Sequence, residues 1–192
     1  CGETRNMTFL SKKMAEFRKL HPLVHYSIYS ATADDIKERM EKGILDLALL
    51  MEPVDIGKYE FVRMPQKEEW GVLVRSDSPL AAQPSVSPQD LIGQPILNAR
   101  REMVQNEVAN WFGDSYDKIE IAGTYNLILN AANMVRNGVG AAMCFRMDNC
   151  YKNLTFVPLE PKLETGAVVV WKKNQVFSKT SSHFIQFMKH SF

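Results

Sequence analysis

The sequence predicts an α/β protein built from two similar halves. In the first half, a stretch with helical spacing ends at Gly43, which can take the positive φ that closes a helix, and the apolar run of residues 45–51 follows. The second half repeats this order, with Gly138 and then the apolar run of residues 139–144. Such runs are typical of parallel strands that helices cover on both faces. We therefore predict two Rossmann-like halves and expect a ligand to bind between them.

Size and composition are those of an ordinary globular protein. The chain has 192 residues, 45% of them hydrophobic, which suffices for one core or two small ones. The 23 basic residues nearly balance the 22 acidic ones, so this chain as given lacks the basic surface that nucleic-acid binding requires. No apolar run approaches the roughly 20 residues of a membrane span, and no secretion signal is evident. We expect no membrane contact and a cytoplasmic location.

The three cysteines favour a reducing compartment. Cys1, Cys144 and Cys150 are odd in number and form no CxxC pair. Cys144 falls in a predicted buried strand, so we interpret it as a small buried hydrophobe, with a catalytic thiol as the alternative. Because the chain opens on Cys1-Gly2 without an initiator Met, we expect it to be a piece of a longer protein.

The chain begins with a predicted helix followed by a predicted strand. Thr4 or Asn6 can cap the helix, whose apolar positions recur every three or four residues and which ends before Pro22. Residues 24–29 then alternate between apolar and polar side chains, which is the period of a β-strand.

A second helix and the apolar run complete a predicted βαβ unit. Thr32 and Asp35 form a capping box that opens a helix over residues 33–42. With the run at residues 45–51, this unit is expected to have a right-handed crossover. Asp46 places a carboxylate inside that run, where it needs partners, and we expect it to bond backbone groups near the strand start rather than to act in catalysis.

Loop chemistry marks the passage to the second half. Strands are predicted at residues 60–64 and 71–75, and residues 76–88 then hold three prolines and four serines. We place the first crossing near residues 71–76 and the return crossing between residues 158 and 167. The predicted subdomains are therefore residues 1–74 with 162–192, and residues 75–161.

The second half alternates strands with helices. Strands are predicted at residues 95–98, 119–122, 139–144, 154–158 and 167–172, and helices at Glu102–Phe112 and at residues 124–137, the latter capped by Thr124. Phe177, Phe184, Phe187 and Met188 indicate a last helix, which we expect to pack against the first half.

Motifs for catalysis or metal binding are absent from the sequence. The four histidines show no metal-ligand spacing, and there is no HExxH, GxSxG, GxGxxG or GxxxxGK motif. We predict a protein that is not an enzyme and needs neither a cofactor nor a metal. The alternative is an enzyme that uses Asp46, Glu3 or Cys144.

Polar residues follow several predicted strands, which is where α/β sheets bind ligands. Thr4 and Thr32 stand just ahead of helices, where their hydroxyls can hold an anion or serve only as caps. Met51, Glu52 and Phe145 end the two buried strands and are candidates for the walls of a cleft. An arginine at a strand end can bind a carboxylate with two hydrogen bonds, although a solvated arginine is the alternative. The polar candidates of the second half are Asn98, Arg100, Arg101, Thr124, Tyr125 and Asn126.

Four short motifs follow one another along the chain. They are FRKLHPLV at residues 17–24, GILDLAL at residues 43–49, SPLA with DLIGQPI within residues 78–96, and VRNGVGA at residues 135–141. In their order and separations they resemble the effector-binding domain of LysR-type transcriptional regulators, and the resemblance covers nearly the whole chain.

This resemblance implies a type 2 periplasmic-binding-protein-like fold, with two subdomains joined by two crossover strands. It implies a small-molecule effector in the cleft, a carboxylate or an aromatic metabolite. It further implies homodimers or homotetramers, and a helix-turn-helix that binds promoter DNA and is absent from this chain. The effector contacts carried over from the family are Glu3, Thr4, Ala31, Thr32, Met51, Asn98, Ala99, Arg100, Tyr125 and Phe145.

The sequence also departs from the family pattern. Most of the first strand, which should precede Gly2, is not in this chain, and Met51 brings a thioether where a hydroxyl is usual. The alternative function is a solute-binding protein of a transporter, which predicts a secretion signal ahead of Cys1 rather than a helix-turn-helix.

Overall fold

The computed structural model describes residues 1–147 and 151–191, and the chain divides into two compact units. In chain order the helices are α1 (Asn6–Leu20), α2 (Ala33–Glu41), α3 (Glu102–Phe112), α4 (Ile128–Arg136) and α5 (Lys179–Lys189). The strands are β1 (Ala48–Met51), β2 (Tyr59–Arg63), β3 (Glu68–Arg75), β4 (Pro95–Ala99), β5 (Glu120–Tyr125), β6 (Ala141–Phe145), β7 (Leu154–Pro158), β8 (Glu164–Thr165) and β9 (Ala167–Lys172). Short 3-10 helices occur at Pro79–Ala82, Pro88–Leu91 and Gly113–Lys118.

Unit 1 comprises Cys1–Lys67 with Gly166–Phe192, and unit 2 comprises Glu68–Thr165. The chain therefore passes between the units twice, as expected. The first passage, after Lys67, lies earlier than the predicted boundary at residue 74. The second passage, before Gly166, lies later than the predicted boundary at residue 161. The reason is that β3 and β8 both pair within unit 2, where β3 bonds to β6, β7 and β8.

The sheet of unit 1 has the order β1-β9-β2, and both pairings are antiparallel. Helices α1 and α5 cover one face, where Phe17 and Phe184 pack on Leu49. Helix α2 covers the other face, where Ile36 and Met40 are fully buried. The prediction that residues 45–51 form a parallel strand is wrong, because β1 pairs antiparallel with β9. Burial on both faces produces a continuous apolar run whatever the direction of the neighbouring strand.

Residues 24–29 form no strand in the described part of the chain, so the predicted βαβ unit is wrong. Val24 and Tyr26 nevertheless pack against the cluster of α1 and α5, which explains the alternation. Backbone bonding is found at the end of the segment, where the Cys1 nitrogen donates to the Tyr29 carbonyl and the Ala31 N–H donates to the Cys1 carbonyl. Alternation thus reports which side chains are buried, whereas a strand also needs a neighbour to pair with.

The helix signals at α2 and α5 are confirmed, whereas α1 has Arg5 at its N-cap position instead of the predicted Thr4 or Asn6. Thr32 caps α2, since its hydroxyl oxygen accepts a hydrogen bond from the Asp35 N–H at 3.4 Å. Gly43 follows the helix with φ +69°. This conformation is energetically unfavourable for a residue that has a side chain. The predicted last helix is α5, and it packs on α1.

The sheet of unit 2 has the order β5-β4-β6-β3-β7. Strand β4 pairs parallel with β5 and β6, whereas β3 pairs antiparallel with β6 and β7. Helix α3 matches its predicted bounds and packs Val108 and Phe112 against Ile96. Helix α4 lies on the cluster that contains Leu97.

The predicted cap at Thr124 is wrong. Thr124 lies inside β5 opposite Asn98, and α4 begins only at Ile128. The pairing of β4 with β5 extends to Tyr125, so the strand continues through the position at which the Thr predicts a helix start. Strand pairing overrides the local preference of threonine for a helix cap.

Candidate functional site

Three strands of unit 2 end at the same edge of the sheet. Because β4 is parallel to β5 and β6, the carboxyl ends of all three point the same way. The register places Ala99, the last residue of β4, opposite Tyr125, the last residue of β5. The structure therefore brings together one set of predicted residues at this carboxyl edge: Asn98, Ala99, Arg100, Tyr125 and Phe145.

Hydrogen bonds fix the backbone of this edge. The Tyr125 hydroxyl donates to the Met143 carbonyl at 2.5 Å, and the Arg100 N–H donates to the Tyr125 carbonyl at 2.8 Å. Asn98 is buried, and its side-chain oxygen accepts from the Ala99 N–H at 2.8 Å. These bonds tie the ends of β4, β5 and β6 into one rigid edge, which is what a binding residue needs for its orientation.

Arg100 places an exposed charge at this edge. It stands between β4 and α3, and Gln105 braces the loop, since its side-chain nitrogen donates to the carbonyls of Ala99 at 3.0 Å and Arg100 at 3.3 Å. An exposed guanidinium beside a helix N-terminus is suited to a carboxylate. Sequence reasoning missed Gln105, because a glutamine in a first helical turn is ordinarily a solvated residue.

Phe145 provides an apolar surface at the same edge. Its ring lies 4.4 Å from that of Trp70 between centroids, in an edge-to-face arrangement. The Trp70 indole N–H donates to the Thr165 hydroxyl at 2.8 Å, which fixes the ring on which Phe145 rests. The predicted strand began at residue 71, so its pattern missed Trp70, which pairs with Phe145 in β3.

Two predicted threonines of unit 1 serve the helices that they precede. Thr4 is buried, and its hydroxyl oxygen accepts from the Asn6 N–H at 3.0 Å. The Thr32 hydroxyl donates to the Asp35 carboxylate at 2.5 Å while it caps α2. The capping interpretation is therefore confirmed for Thr32. Thr4 precedes the N-cap position of α1, which is Arg5, and bonds only the first N–H of that helix.

The remaining predicted residues of unit 1 surround these two helix starts. The loop before α1 packs on the end of β1, since an added Cβ at Gly2 would lie 2.4 Å from the Met51 methyl carbon. Glu3 follows in the same loop, and the Ala31 N–H donates to the Cys1 carbonyl at 3.2 Å. The structure thus brings the unit 1 residues to one end of that unit: Glu3, Thr4, Ala31, Thr32 and Met51.

Unit 1 also holds a cavity of about 320 Å³ that the sequence did not predict. It lies between residues 24–29 and 44–49, above side chains of α1 and α5, and no predicted contact residue lines it. Asp46 lines this cavity and is exposed, and its carboxylate forms no hydrogen bond in the described part of the chain, so the prediction that it bonds backbone groups near the strand start is wrong. Strand β1 begins only at Ala48, which leaves Asp46 ahead of the sheet.

Cys144 is a buried hydrophobe, as interpreted from the sequence. It is 5% exposed in β6, and burial raises the pKa of its thiol to about 12. At neutral pH it therefore holds almost no thiolate, the form that a nucleophile needs. Cys150 lies outside the described residues. Within residues 1–147 and 151–191, no group of three or more metal-ligating side chains is found, and no helix could cross a membrane.

We expect Cys144 to resist alkylation in the folded protein at pH 8. The raised pKa and the burial of the thiol both slow the reaction, whereas half-exposed Cys1 reacts readily. Peptide mapping after iodoacetamide treatment measures the labelling of each cysteine, and urea-unfolded protein is the control in which Cys144 reacts. Equal labelling of Cys1 and Cys144 in the folded protein would contradict the described burial.

Comparison with known proteins agrees with this architecture. The family model of the LysR substrate binding domain matches residues 1–192. The uncharacterized HTH-type transcriptional regulator YvbU of Bacillus subtilis (strain 168) is 23% identical over 144 residues, which cover 75% of this chain. The match covers 48% of YvbU, so the chain spans about half the length of that relative.

Two solved structures share the fold. The effector binding domain of QuiR in complex with shikimate has a TM-score of 0.83 and 18% identity, and the match covers 95% of this chain and 89% of that one. The BenM effector binding domain with its effector benzoate has a TM-score of 0.72 and 20% identity, and the match covers 99% and 89% of the two chains. With a fold of this kind and a family match along its whole length, the chain belongs to the LysR family of transcriptional regulators, as a LysR substrate binding domain.

Proposed function

We propose that this domain binds a small-molecule effector and passes that signal to the DNA-binding segment of a longer regulator. The observation that carries the proposal is the convergence of predicted contact residues at the carboxyl edge of unit 2, in a domain of the LysR family. The proposed contacts are Glu3, Thr4, Ala31, Thr32 and Met51 in unit 1, and Asn98, Ala99, Arg100, Tyr125 and Phe145 in unit 2.

The chemistry of these residues favours a small carboxylate that carries a ring. Arg100 offers an exposed guanidinium for the carboxylate, and Phe145 and Met51 offer apolar surface for the ring. The hydroxyl oxygens of Thr4 and Thr32 already accept hydrogen bonds from backbone N–H groups, so the neighbouring backbone rather than these hydroxyls supplies the polar groups of unit 1. Shikimate and benzoate, which the QuiR and BenM domains hold, are both ring carboxylates.

Regulation requires that the effector binds two states of the protein unequally, since a ligand with equal affinity for both shifts nothing. In the longer protein a helix-turn-helix contacts promoter DNA, and the HTH-type name of YvbU supports that arrangement. We propose a homodimer or homotetramer, and a cytoplasmic location because promoter DNA lies there. The family match favours this function over that of a transporter's solute-binding protein.

A thermal-shift panel tests the proposal. The domain is titrated with ring carboxylates, among them benzoate and shikimate, with aliphatic carboxylates, and with the matching uncharged amides. Binding to the folded state alone raises the melting temperature as ligand concentration exceeds the dissociation constant. We expect at least one ring carboxylate to raise it and its amide to fail. A panel in which no carboxylate shifts the melting temperature would overturn the proposal.

Arg100→Ala is expected to weaken binding of the active carboxylate by about tenfold or more, because a charge-assisted hydrogen bond contributes about 1.5–3 kcal/mol. The melting temperature of the free domain should hardly change, because Arg100 is exposed. Isothermal titration calorimetry measures the affinity. The matched control is Arg136→Ala, which removes an exposed charge at the far end of α4. Equal affinity in both variants would show that Arg100 does not bind the carboxylate.

A further inference from the structure

Arg146 is a charged residue at the carboxyl edge of unit 2 that is not among the proposed effector contacts. It directly follows β6, and its backbone N–H donates to the Glu69 carbonyl at 2.8 Å. Because β3 and β6 are antiparallel, the start of β3 lies at the same edge as the end of β6. The Arg146 side chain therefore begins beside Phe145, one of the proposed contacts.

Two contacts of the Arg146 side chain hold its guanidinium in place. The Nε atom donates to the Glu69 carboxylate at 2.5 Å, and the Cζ atom lies 4.7 Å from the centroid of the Phe156 ring. That ring in turn rests on Gly71 of β3, since an added Cβ there would lie 2.3 Å from the ring. A guanidinium held by an aromatic face and a carboxylate is oriented before any ligand arrives, which favours binding.

The outer end of this guanidinium is open. Within residues 1–147 and 151–191, its Nη1 and Nη2 atoms form no hydrogen bond, and 40% of the Arg146 side chain is exposed. Two amino groups side by side can donate two parallel hydrogen bonds to one carboxylate. Glu69 bonds only to Nε, so a second carboxylate can bind without displacing it. The positive guanidinium then lies between the two carboxylates and offsets their repulsion.

Arg146 also lies close to Arg100, the residue proposed to bind the carboxylate of the effector. The parallel pairing of β4 with β6 places Leu97 opposite Ala142. The same register, continued by three residues, places Arg100 opposite Phe145, the neighbour of Arg146. Because paired strands lie about 4.8 Å apart, the two arginines leave the sheet within the span of one small ligand. An effector with a single carboxylate on Arg100 would leave the open end of Arg146 without a partner.

We propose that Arg146 is a second anion-binding residue of the effector site, and that the effector carries two anionic groups, as a ring dicarboxylate does. The inference rests on the proposed function and narrows its ligand class from a ring carboxylate to a ring dicarboxylate. Arg100 binds one carboxylate, and the outer end of Arg146 binds the other. Arginine suits this role because its planar fork matches the geometry of a carboxylate, which the ammonium of a lysine does not.

Matched pairs of ligands test this inference by isothermal titration calorimetry. Phthalate, isophthalate and terephthalate are each compared with the monoamide, in which one carboxylate is replaced by an uncharged carboxamide of similar shape. We expect at least one dicarboxylate to bind about tenfold or more tightly than its monoamide, because hydrogen bonds between charged groups are the stronger ones.

Variants of Arg146 assign the gain in affinity to this residue. Arg146→Gln should abolish the gain and leave the affinity for the monoamide unchanged, whereas Arg146→Lys should retain part of the gain. The melting temperatures of the free variants should hardly change, because the pair of Arg146 with Glu69 is partly exposed and such pairs contribute little to stability.

Arg75→Gln is the matched control. It breaks the ion pair of Arg75 with Asp77 at the opposite end of β3, so the gain in affinity should persist. Three results would each overturn the inference while the proposed function stands: monoamides that bind as tightly as the dicarboxylates, a gain that survives Arg146→Gln, or equal weakening of both ligands by that substitution. Absence of binding by the whole set would overturn it as well, and the wider thermal-shift panel then decides whether the proposed function stands.

Discussion

Phe17→Ala should lower the free energy of unfolding by about 4 kcal/mol, because truncating a fully buried aromatic removes its contacts and leaves a cavity. Phe17 is 2% exposed and lies where α1, α5 and the sheet of unit 1 meet. Its ring packs edge-on against the Phe184 ring, with 5.1 Å between the ring centroids. The centroid of the His21 ring lies 4.4 Å from that of Phe17. Urea unfolding followed by circular dichroism measures the loss.

Leu23→Ala is the matched control for this substitution, since Leu23 belongs to the same motif but is fully exposed. Surface substitutions of this kind usually change the free energy of unfolding by less than about 0.5 kcal/mol. A cost at Phe17 that is no larger than the cost at Leu23 would contradict the position of Phe17 in the core of unit 1.

Phe17 also shows what could be predicted from the sequence. Its helix has apolar residues at the helical period, and α3 matches its predicted bounds because the same period is uninterrupted there. Gly43 and Gly138 have the positive φ expected of helix stops, since few other residues adopt it without strain. Helix periods and glycine helix stops depend on the preferences of neighbouring residues, which can be read directly from the sequence.

The failures concern pairing between distant segments. Residues 24–29 have the alternation of a strand but form none in the described chain, and β1 pairs antiparallel where a parallel neighbour was predicted. Thr124 has the chemistry of a cap but continues β5. Alternation and apolar runs record burial, and burial does not specify which segment lies alongside or in which direction.

The candidate site likewise has residues whose place could be predicted and supporting contacts that could not. The place of Asn98 and Phe145 could be predicted because they stand at ends of strands that alternate with helices, and such ends share one edge. Tyr125 was predicted at the start of a helix, and it ends β5 instead. The support of the site could not be predicted. The bonds from Gln105 to the Arg100 loop and the contact of Trp70 with Phe145 depend on the exact register of β3 and β4 with their neighbours.

Gly71→Ala is expected to cost about 3 kcal/mol of unfolding free energy, because overpacking inside a sheet forces the backbone to shift. Gly71 lies in β3 between Cys144 of β6 and Pro158 of β7. An added Cβ would stand 2.4 Å from the Val157 carbonyl oxygen and 2.3 Å from the Phe156 ring. Strands on both sides prevent β3 from moving away, so the strain remains in the folded state. Differential scanning calorimetry measures the destabilisation.

Gly43→Ala separates this steric effect from the general cost of replacing a glycine. Gly43 has φ +69°, and no other atom lies within 4 Å of the position of an added Cβ, so alanine there incurs only the strain of a left-handed backbone, about 1 kcal/mol. Gly71 neighbours Trp70, on which Phe145 rests, so a shift of β3 should also weaken carboxylate binding, whereas Gly43→Ala should leave it unchanged. If both substitutions cost the same and neither affects binding, then β3 is not confined between β6 and β7 as described.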